Sequence, residues 1–481
     1  MTESKKADTT FYSTIDINGT IIKNVLCRLY LPTKITDSIE LRFSPNDKQA
    51  KIIEHLPFWK FSMKGKVMNR QRKTEKTIVA NLVYSNKFET KYHSHNLIEP
   101  YFIGEPADLT ITNHLNHQTA KSESKIDGRF WITPNDLLQP AFISEYSYTG
   151  EVRITLARSF EFGINSKLLF KFENYHKSYK NDVGDDVSFY ELVAAFELKG
   201  KTNKSQQILR ALEKLDDVLL LASFAARKKC VCLGWNSFDS KTYVKKYLRN
   251  RTIPKDINRK NNRENWLIDL SDFPEFMETV FKKFQKYSEV DAFRRTMNFI
   301  VPSYEDTIDN NFVSLYSALE MIVLHFRKQK QLEFILPSKQ FEKVRKQIKT
   351  IIENSTLIEN DVSKIEMKKK LSELNRLSFA SAFDEFCKFY SVDLSDLWSV
   401  NSNNDGISLS QIRNKLVHGE HFSQKSSIGL IYAREHLRWT IERMVLAILG
   451  WSTEKSKVSR NYLRIMNPYK NWRKELDNFK K

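Results

Sequence analysis

The chain has 481 residues, of which 41% are hydrophobic and 12% aromatic, so a wholly disordered protein is excluded. This length predicts roughly three domains, with enough buried surface to fold without stabilising disulfides or metal ions. Lysine and arginine outnumber aspartate and glutamate by 77 to 58, and the net charge of +19 favours salt-sensitive binding to nucleic acid over a role in solubility alone.

The cysteines and the apolar stretches indicate the cellular compartment in which the protein is expected. The four cysteines are scattered and form no C-x-x-C pair, which favours a reducing interior. The first residues are polar and lack the apolar core of a signal peptide. The longest apolar stretch, 218–226, is far shorter than the ~20 residues that a membrane span needs. We therefore expect a soluble, cytoplasmic protein with no membrane partner.

The first two hundred residues have the pattern of a β-rich domain. An Asn18-Gly19 turn between two β-branched runs is the strongest hairpin signal in the chain. Seven further strands are predicted, at 38–43, 78–84, 108–112, 130–133, 152–157, 167–173 and 189–198. We assign 10–200 to a β-rich domain with a sensor or regulatory role.

The periodicity becomes helical after residue 200. Apolar residues at helical spacing predict a long helix over 205–229, and a polar, basic stretch up to residue 264 is expected to be an exposed excursion. Further helices are predicted over the stripe 312–326 and at 339–353, 361–376, 379–390, 408–418 and 426–450. The fold class is α+β, with a β-rich N-terminal domain and an all-α C-terminal half. The predicted divisions are a helical connecting region at 201–289, a helical bundle at 290–450 and a basic tail at 451–481.

One short helix, predicted at 408–418, has clear signals at both ends. Ser408 and Gln411 have the spacing of a capping box, in which each side chain binds the other residue's backbone N–H. Gly419 is placed to take the left-handed conformation that follows a helix end.

The same helix separates apolar from polar side chains. Asn414 and His418 are four residues apart and share one face, and Arg413 lies at the border of the opposite, apolar stripe. That stripe consists of Leu409, Ile412 and Leu416. The polar residues therefore point away from their own core, toward solvent or a second subunit.

These residue types suit cleavage of an RNA backbone. The 2′-hydroxyl must lose a proton, the pentavalent phosphate must be neutralised and the 5′-oxygen must gain a proton. Histidine transfers protons near neutral pH, and arginine presents a planar donor fork to phosphate oxygens. Asparagine orients either group without titrating.

The pattern Arg413-Asn414-x-x-x-His418 resembles the R-x4-6-H signature, with a polar residue after the arginine, of HEPN (higher eukaryotes and prokaryotes nucleotide-binding) domains. Tyr316-Ser-Ala-Leu-Glu320 on an earlier helix and a closing helix over 428–449 strengthen the match. The C-terminal half is similar to the ApeA-like HEPN branch, which occurs in bacterial anti-phage abortive-infection proteins. The β-rich half resembles the N-terminal domain that accompanies it.

The resemblance implies a homodimer, or a higher homo-oligomer, in which two motifs form one metal-independent endoribonuclease site. Arg413 would bind the scissile phosphate, His418 would act as general acid and base, and Asn414 would position one of them. The expected substrate is a cellular RNA, for example a tRNA, cleaved to 2′,3′-cyclic phosphate ends without a cofactor. A phage-derived trigger at the N-terminal domain is a further expected partner.

Two other classes of function stay open. A catalytically inactive HEPN dimer would act as a nucleotide-binding or scaffolding module, and the basic surface would alternatively bind DNA. Within the helical half, Glu320 is either a partner for Arg413 across the bundle or an ordinary solvated glutamate.

Basic residues after residue 244 give a second candidate surface. Tyrosines at 243 and 247 and a tryptophan at 266 are interleaved with them, a mixture that suits phosphate contact and base stacking. A solvated loop is the competing interpretation. The residues assigned to RNA binding are Lys245, Lys246, Arg249, Arg251, Arg259, Lys260 and Arg263.

Overall fold

A computed structural model of the chain describes residues 7–54, 60–69, 74–92, 98–114, 125–146, 152–180, 185–199, 203–239, 241–251, 265–287, 291–301, 307–401, 406–420, 422 and 424–479. The chain divides into two units, Met1–Asn261 and Asn262–Lys481. Strands dominate the first unit and helices the second, which confirms the predicted α+β class.

The described residues of the first unit form strands and two helices. The strands are β1 Thr9–Ile17, β2 Thr20–Tyr30, β3 Glu40–Ser44, β4 Lys60–Asn69, β5 Thr74–Tyr92, β6 Ile98–His114, β7 Lys125–Ile132, β8 Ala141–Tyr146, β9 Val152–Arg158, β10 Phe160–Asn165, β11 Leu168–Lys180, β12 Asp186–Lys199, β13 Cys232–Phe238 and β14 Thr242–Leu248. The helices are α1 Asp47–Glu54 and α2 Lys204–Ala226. Each predicted strand overlaps an observed one, and α2 confirms the predicted long helix.

Twelve of these strands form one antiparallel sheet in the order β10-β11-β12-β7-β13-β14-β6-β3-β2-β1-β4-β5. Strand β5 also pairs with β6, which closes the last six strands into a barrel. The barrel is filled by apolar side chains, including Ile15, Val25, Leu41 and Ile78, that are completely buried. Alternation of buried and exposed residues along β1 places one side of the strand in this core.

The β1–β2 turn has the conformation that its sequence predicts. Asn18 and Gly19 have φ angles of 51° and 90°, so both occupy the left-handed region that a two-residue hairpin turn requires. The amide N–H of Gly19 donates to the Asp16 carboxylate at 2.8 Å. The predicted hairpin is therefore confirmed.

The basic stretch after residue 230 corrects the sequence prediction. Instead of an exposed excursion, residues 232–248 form the β13–β14 hairpin, inserted between β7 and β6. Hydrogen bonding along both edges makes these strands integral to the sheet.

The second unit is helical. Its helices are α3 Phe273–Phe284, α4 Asp291–Ile300, α5 Ile308–Gln329, α6 Ser338–Asn354, α7 Asp361–Lys370, α8 Phe379–Tyr390, α9 Leu409–Val417, α10 Ser427–Leu449, α11 Arg460–Leu463 and α12 Asn467–Glu475. Short 3-10 turns occupy Leu371–Asn375, Gln424–Ser426, Thr453–Lys455 and Leu476–Phe479. The helices predicted after residue 300 match α5 to α10, with the predicted 361–376 helix ending in a 3-10 turn.

The predicted divisions of the chain differ from the observed one. The connecting region 201–289 is not a single segment, because α2, β13 and β14 belong to the first unit and α3 to the second. The stretch 451–479 is largely folded, since Trp472, Leu476 and Phe479 are buried. The ring of Trp472 stacks on Trp398 with the centroids 5.3 Å apart.

Across the part of the chain that the structure describes, no helix combines the length and apolar character needed to cross a bilayer.

Candidate functional site

Helix α9 begins at a complete capping box. The hydroxyl of Ser408 accepts a hydrogen bond from the Gln411 N–H at 3.3 Å, and the Gln411 side chain accepts one from the Ser408 N–H at 2.8 Å. Two of the N–H groups that a helix start leaves unpaired are thereby satisfied. The predicted start of this helix is confirmed.

The other end of α9 also matches its prediction. Gly419 has a φ of +77°, and its N–H donates to the Leu416 carbonyl at 3.2 Å. The N–H of Glu420 donates to the Lys415 carbonyl at 2.9 Å, which completes a Schellman motif. His418 is therefore the last residue before the chain turns away, and its side chain is exposed.

A buried histidine supports the loop that precedes α9. Nδ1 of His436, on α10, accepts a hydrogen bond from the Trp398 N–H at 3.0 Å, while the Trp398 indole donates to the Ile407 carbonyl at 2.8 Å. Burial lowers the pKa of His436 to about 4, so the ring is neutral and its Nε2 donates to the Pro468 carbonyl. This network links the start of α9 to the core of the second unit.

Arg413 is the most constrained of the three motif side chains. Its Nη1 donates to Oδ1 of Asn414 at 3.1 Å, and its Nη2 lies 3.4 Å from both carboxylate oxygens of Glu320 on α5. The guanidinium carbon lies 5.7 Å from the centre of the Tyr316 ring, within cation–π range. Helix α5 therefore supplies both an anion and an aromatic ring that orient Arg413.

Tyr316 joins α5 to the start of α9. Its side chain is buried and forms a hydrogen bond with the Ser410 hydroxyl. Burial raises the pKa of Tyr316 to about 12, so the phenol is neutral and serves as packing surface beneath Arg413.

The two faces of α9 differ as the sequence predicts, with one exception. Leu409 and Ile412 are completely buried, whereas Leu416 is only partly buried. Asn414 and His418 are exposed, and Arg413 retains 31% of its side-chain surface. Among the described residues, the imidazole of His418 has no hydrogen bond or ion pair, so it is available to a ligand.

The described residues among those assigned to RNA binding differ in their partners. Three of them are held by protein groups: Lys246 pairs with Asp108 at 2.9 Å, Arg251 with Asp216 at 2.5 Å, and Arg249 donates to backbone carbonyls. Lys245 has no carboxylate partner in the described parts of the chain. Arg259, Lys260 and Arg263 lie outside the described residues.

Sequence reasoning did not assign a role to Tyr316 or His436. Tyr316 precedes Glu320 by four residues, so helical spacing alone places both on one face of α5. His436 gives no comparable signal, because its partners Trp398 and Pro468 are far away in sequence.

Comparisons with protein-family models, curated proteins and solved structures gave no match. Within the described segments, His, Cys, Asp and Glu side chains form no group of three or more suited to holding a metal ion.

Proposed function

We propose that this protein is an endoribonuclease of the HEPN type, with Arg413, Asn414 and His418 as its catalytic residues. The observation that carries the proposal is the exposed imidazole of His418 on the same short, doubly capped helix as an oriented guanidinium. The pair provides a proton-transfer group and a phosphate-binding group on a rigid element, as acid–base cleavage of RNA requires.

The proposed reaction is a transfer of the phosphate from O5′ to O2′. A base removes the proton of the 2′-hydroxyl, and O2′ then forms a bond to phosphorus. The P–O5′ bond breaks as an acid delivers a proton to O5′. Arg413 neutralises the charge of the pentavalent phosphate, and the products carry a 2′,3′-cyclic phosphate and a 5′-hydroxyl.

The proposed site has a single histidine, His418, from each chain, which supports a composite site in a homodimer. His418 of one copy would accept the proton from O2′ while His418 of a second copy protonates O5′. An apolar side chain beside the motif is available to a second copy, since Val417, directly before His418, is 51% exposed.

The biological role that fits this activity is anti-phage defence by abortive infection. In this role, cleavage of cellular RNA stops growth of the infected cell, and the first unit responds to the trigger. The ion pair between Arg413 and Glu320 favours one alternative, a catalytically inactive nucleotide-binding or scaffolding dimer, because the carboxylate already neutralises the phosphate-binding group.

Incubation of cellular RNA with the purified full-length protein, in excess chelator, separates these functions. We expect cleavage by the wild type and its loss in Arg413→Ala and His418→Ala. Arg345→Ala, which removes another ion-paired exposed arginine, and His176→Ala, which removes an exposed histidine of the first unit, are the matched controls. RNA binding without cleavage by the wild type would favour the inactive module.

A further inference from the structure

One face of the sheet in the first unit carries polar and aromatic side chains at its centre. Asn236 on β13 pairs in register with Arg129 on β7 and with Lys245 on β14. Since side chains directly opposite each other point to the same face of a sheet, these three residues form a row. The alternate residues of the neighbouring strands, such as Phe130 and Phe196, are buried on the opposite face.

Arg129 and Lys245 differ from the other cations on this face. Lys125 pairs with Glu197, Lys171 with Glu161, and Lys177 with Glu191, at 2.9, 3.2 and 2.5 Å. Within the described residues, neither Arg129 nor Lys245 has a carboxylate partner. Both instead lie against aromatic rings, and the guanidinium of Arg129 is 5.3 Å from the centre of the Tyr175 ring.

The Lys245 ammonium lies against two aromatic rings. Gly234 pairs in register with Trp131 on β7 and with Tyr247 on β14, and the Trp131 and Tyr247 rings stack with centroids 6.1 Å apart. The Lys245 ammonium lies 5.2 Å from the Trp131 ring and 4.9 Å from the Tyr247 ring. It therefore crosses β13 toward the strand that carries Arg129.

The surroundings of the Lys245 ammonium leave it incompletely neutralised. Burial, followed by repulsion from Lys177, lowers the pKa of Lys245 to about 8, against smaller opposing effects of Glu191 and Asp8. An anion bound beside it would stabilise the charged form.

A surface cleft of about 310 Å³ is lined by Arg129 and by Asn236, the register partner of Lys245. Its lining includes Arg129, Glu173, Asn236, Phe238 and Tyr243. The Phe238 side chain is 49% exposed, and the Asn236 amide donates to the Tyr243 hydroxyl at 3.4 Å. The cleft thus combines an exposed aromatic ring, an amide, a carboxylate and a guanidinium.

We propose that this cleft binds a nucleotide, with its phosphate held by Arg129 and Lys245 and its base against Phe238 and Tyr243. Glu173 argues against a simple inorganic anion, because a carboxylate repels phosphate but accepts a hydrogen bond from the amino group of a base. Exposed aromatic rings on a sheet face suit base stacking. The site lies in the first unit and does not depend on the nuclease proposal.

A free mononucleotide and one nucleotide of a single-stranded RNA share this chemistry. Calorimetric titration of the full-length protein with AMP, GMP, CMP and UMP tests binding of a free mononucleotide. Inorganic phosphate and the corresponding nucleosides are titrated for comparison. Titration of the full-length His418→Ala protein with a single-stranded RNA of about ten nucleotides tests binding of the RNA without cleavage.

We expect binding of a mononucleotide or of the RNA, weakened roughly tenfold by Arg129→Ala and by Lys245→Ala through loss of a charge-assisted contact. Arg210→Ala, on the exposed surface of α2, and Lys171→Ala, which removes an ion-paired lysine of the same sheet, should leave the affinity unchanged. Thermal unfolding verifies that each variant is folded. Absence of binding to every nucleotide and to the RNA, or binding that neither Arg129→Ala nor Lys245→Ala weakens, would overturn the proposal.

Discussion

The guanidinium of Arg413 lies 3.4 Å from the carboxylate of Glu320, and each side chain is 31% exposed. Ion pairs at this exposure contribute only about 0–1 kcal/mol to stability, so this pair is not needed to hold α9 on α5. Its effect is instead on orientation, because it directs one edge of the guanidinium to α5. The other contact, with Asn414, lies on α9 itself.

Replacement of Glu320 tests whether it positions Arg413. Glu320→Ala removes the contact and should reduce RNA cleavage severalfold, whereas Glu320→Gln keeps an acceptor oxygen and should retain most of the activity. Neither change should lower the free energy of unfolding by more than about 1 kcal/mol. Initial cleavage rates and urea denaturation provide the two measurements.

Glu385→Ala is the matched control, because Glu385 is an exposed glutamate on α8. Faster cleavage by Glu320→Ala than by the wild type would show that the carboxylate restrains Arg413 rather than positioning it.

The two ends of α9 should each contribute measurably to stability. Ser408→Ala removes the hydroxyl that accepts from the Gln411 N–H and should cost about 1 kcal/mol. Gly419→Ala should cost about 1 kcal/mol through its φ of +77° alone, since no atom lies within 4 Å of the added methyl group. Urea denaturation measures both. Gly419→Asn should be tolerated better, and an equal loss for Asn and Ala would contradict this explanation.

Local signals explain why α9 was predictable in detail. The capping residues Ser408 and Gln411 and the glycine at 419 lie within three residues of the helix ends that they define. The contact of Arg413 with Glu320 spans 93 positions, and the sequence left it as one of two alternatives.

Strand β14, in contrast, could not be predicted from its local sequence. Two consecutive lysines interrupt the alternation of apolar and polar residues that predicts a strand. Lys245 extends over aromatic rings, and Lys246 pairs with Asp108 on β6. Trp131, one of these rings, and Asp108 both come from distant parts of the chain. The closure of β5 onto β6 into a barrel also depends on the register of a long strand pairing, which composition does not specify.

The buried His436 should make the second unit sensitive to acid. In the folded state burial lowers its pKa from the ordinary 6.5 to about 4, and this effect outweighs the opposite effects of the Pro468 carbonyl, Asp396 and Glu435. Between these pH values the unfolded chain binds a proton that the folded chain does not. The stabilisation is therefore complete above pH 6.5 and is lost as the pH falls toward 4, on the order of 2 to 3 kcal/mol.

Denaturation curves at several pH values measure this dependence in the wild type and in His436→Gln. We expect a shallower loss of stability between pH 6.5 and 4 in the variant. His418→Gln removes an exposed histidine and should keep the wild-type slope. Identical slopes for the wild type and His436→Gln would contradict the assignment.

Lys245→Met should stabilise the first unit at neutral pH, on the order of 1 kcal/mol. The lysine is charged at pH 7 although burial lowers its pKa to about 8, so its protonation disfavours the folded state. Between pH 8 and 10.5 the unfolded chain binds more protons, wild-type stability rises with pH, and the gain from methionine should shrink. Denaturation at pH 7 and pH 10 tests this, with Lys171→Met as the exposed control. A less stable Lys245→Met at pH 7 would count against it.

Mass spectrometry of the RNA fragments tests the proposed chemistry of α9 most directly. Attack by the 2′-hydroxyl under the control of Arg413 and His418 must leave a 2′,3′-cyclic phosphate on one fragment and a 5′-hydroxyl on the other. We expect both ends from the wild type and neither from His418→Ala. Fragments with 3′-hydroxyl and 5′-phosphate ends, or the same cyclic products from His418→Ala, would contradict the proposed site.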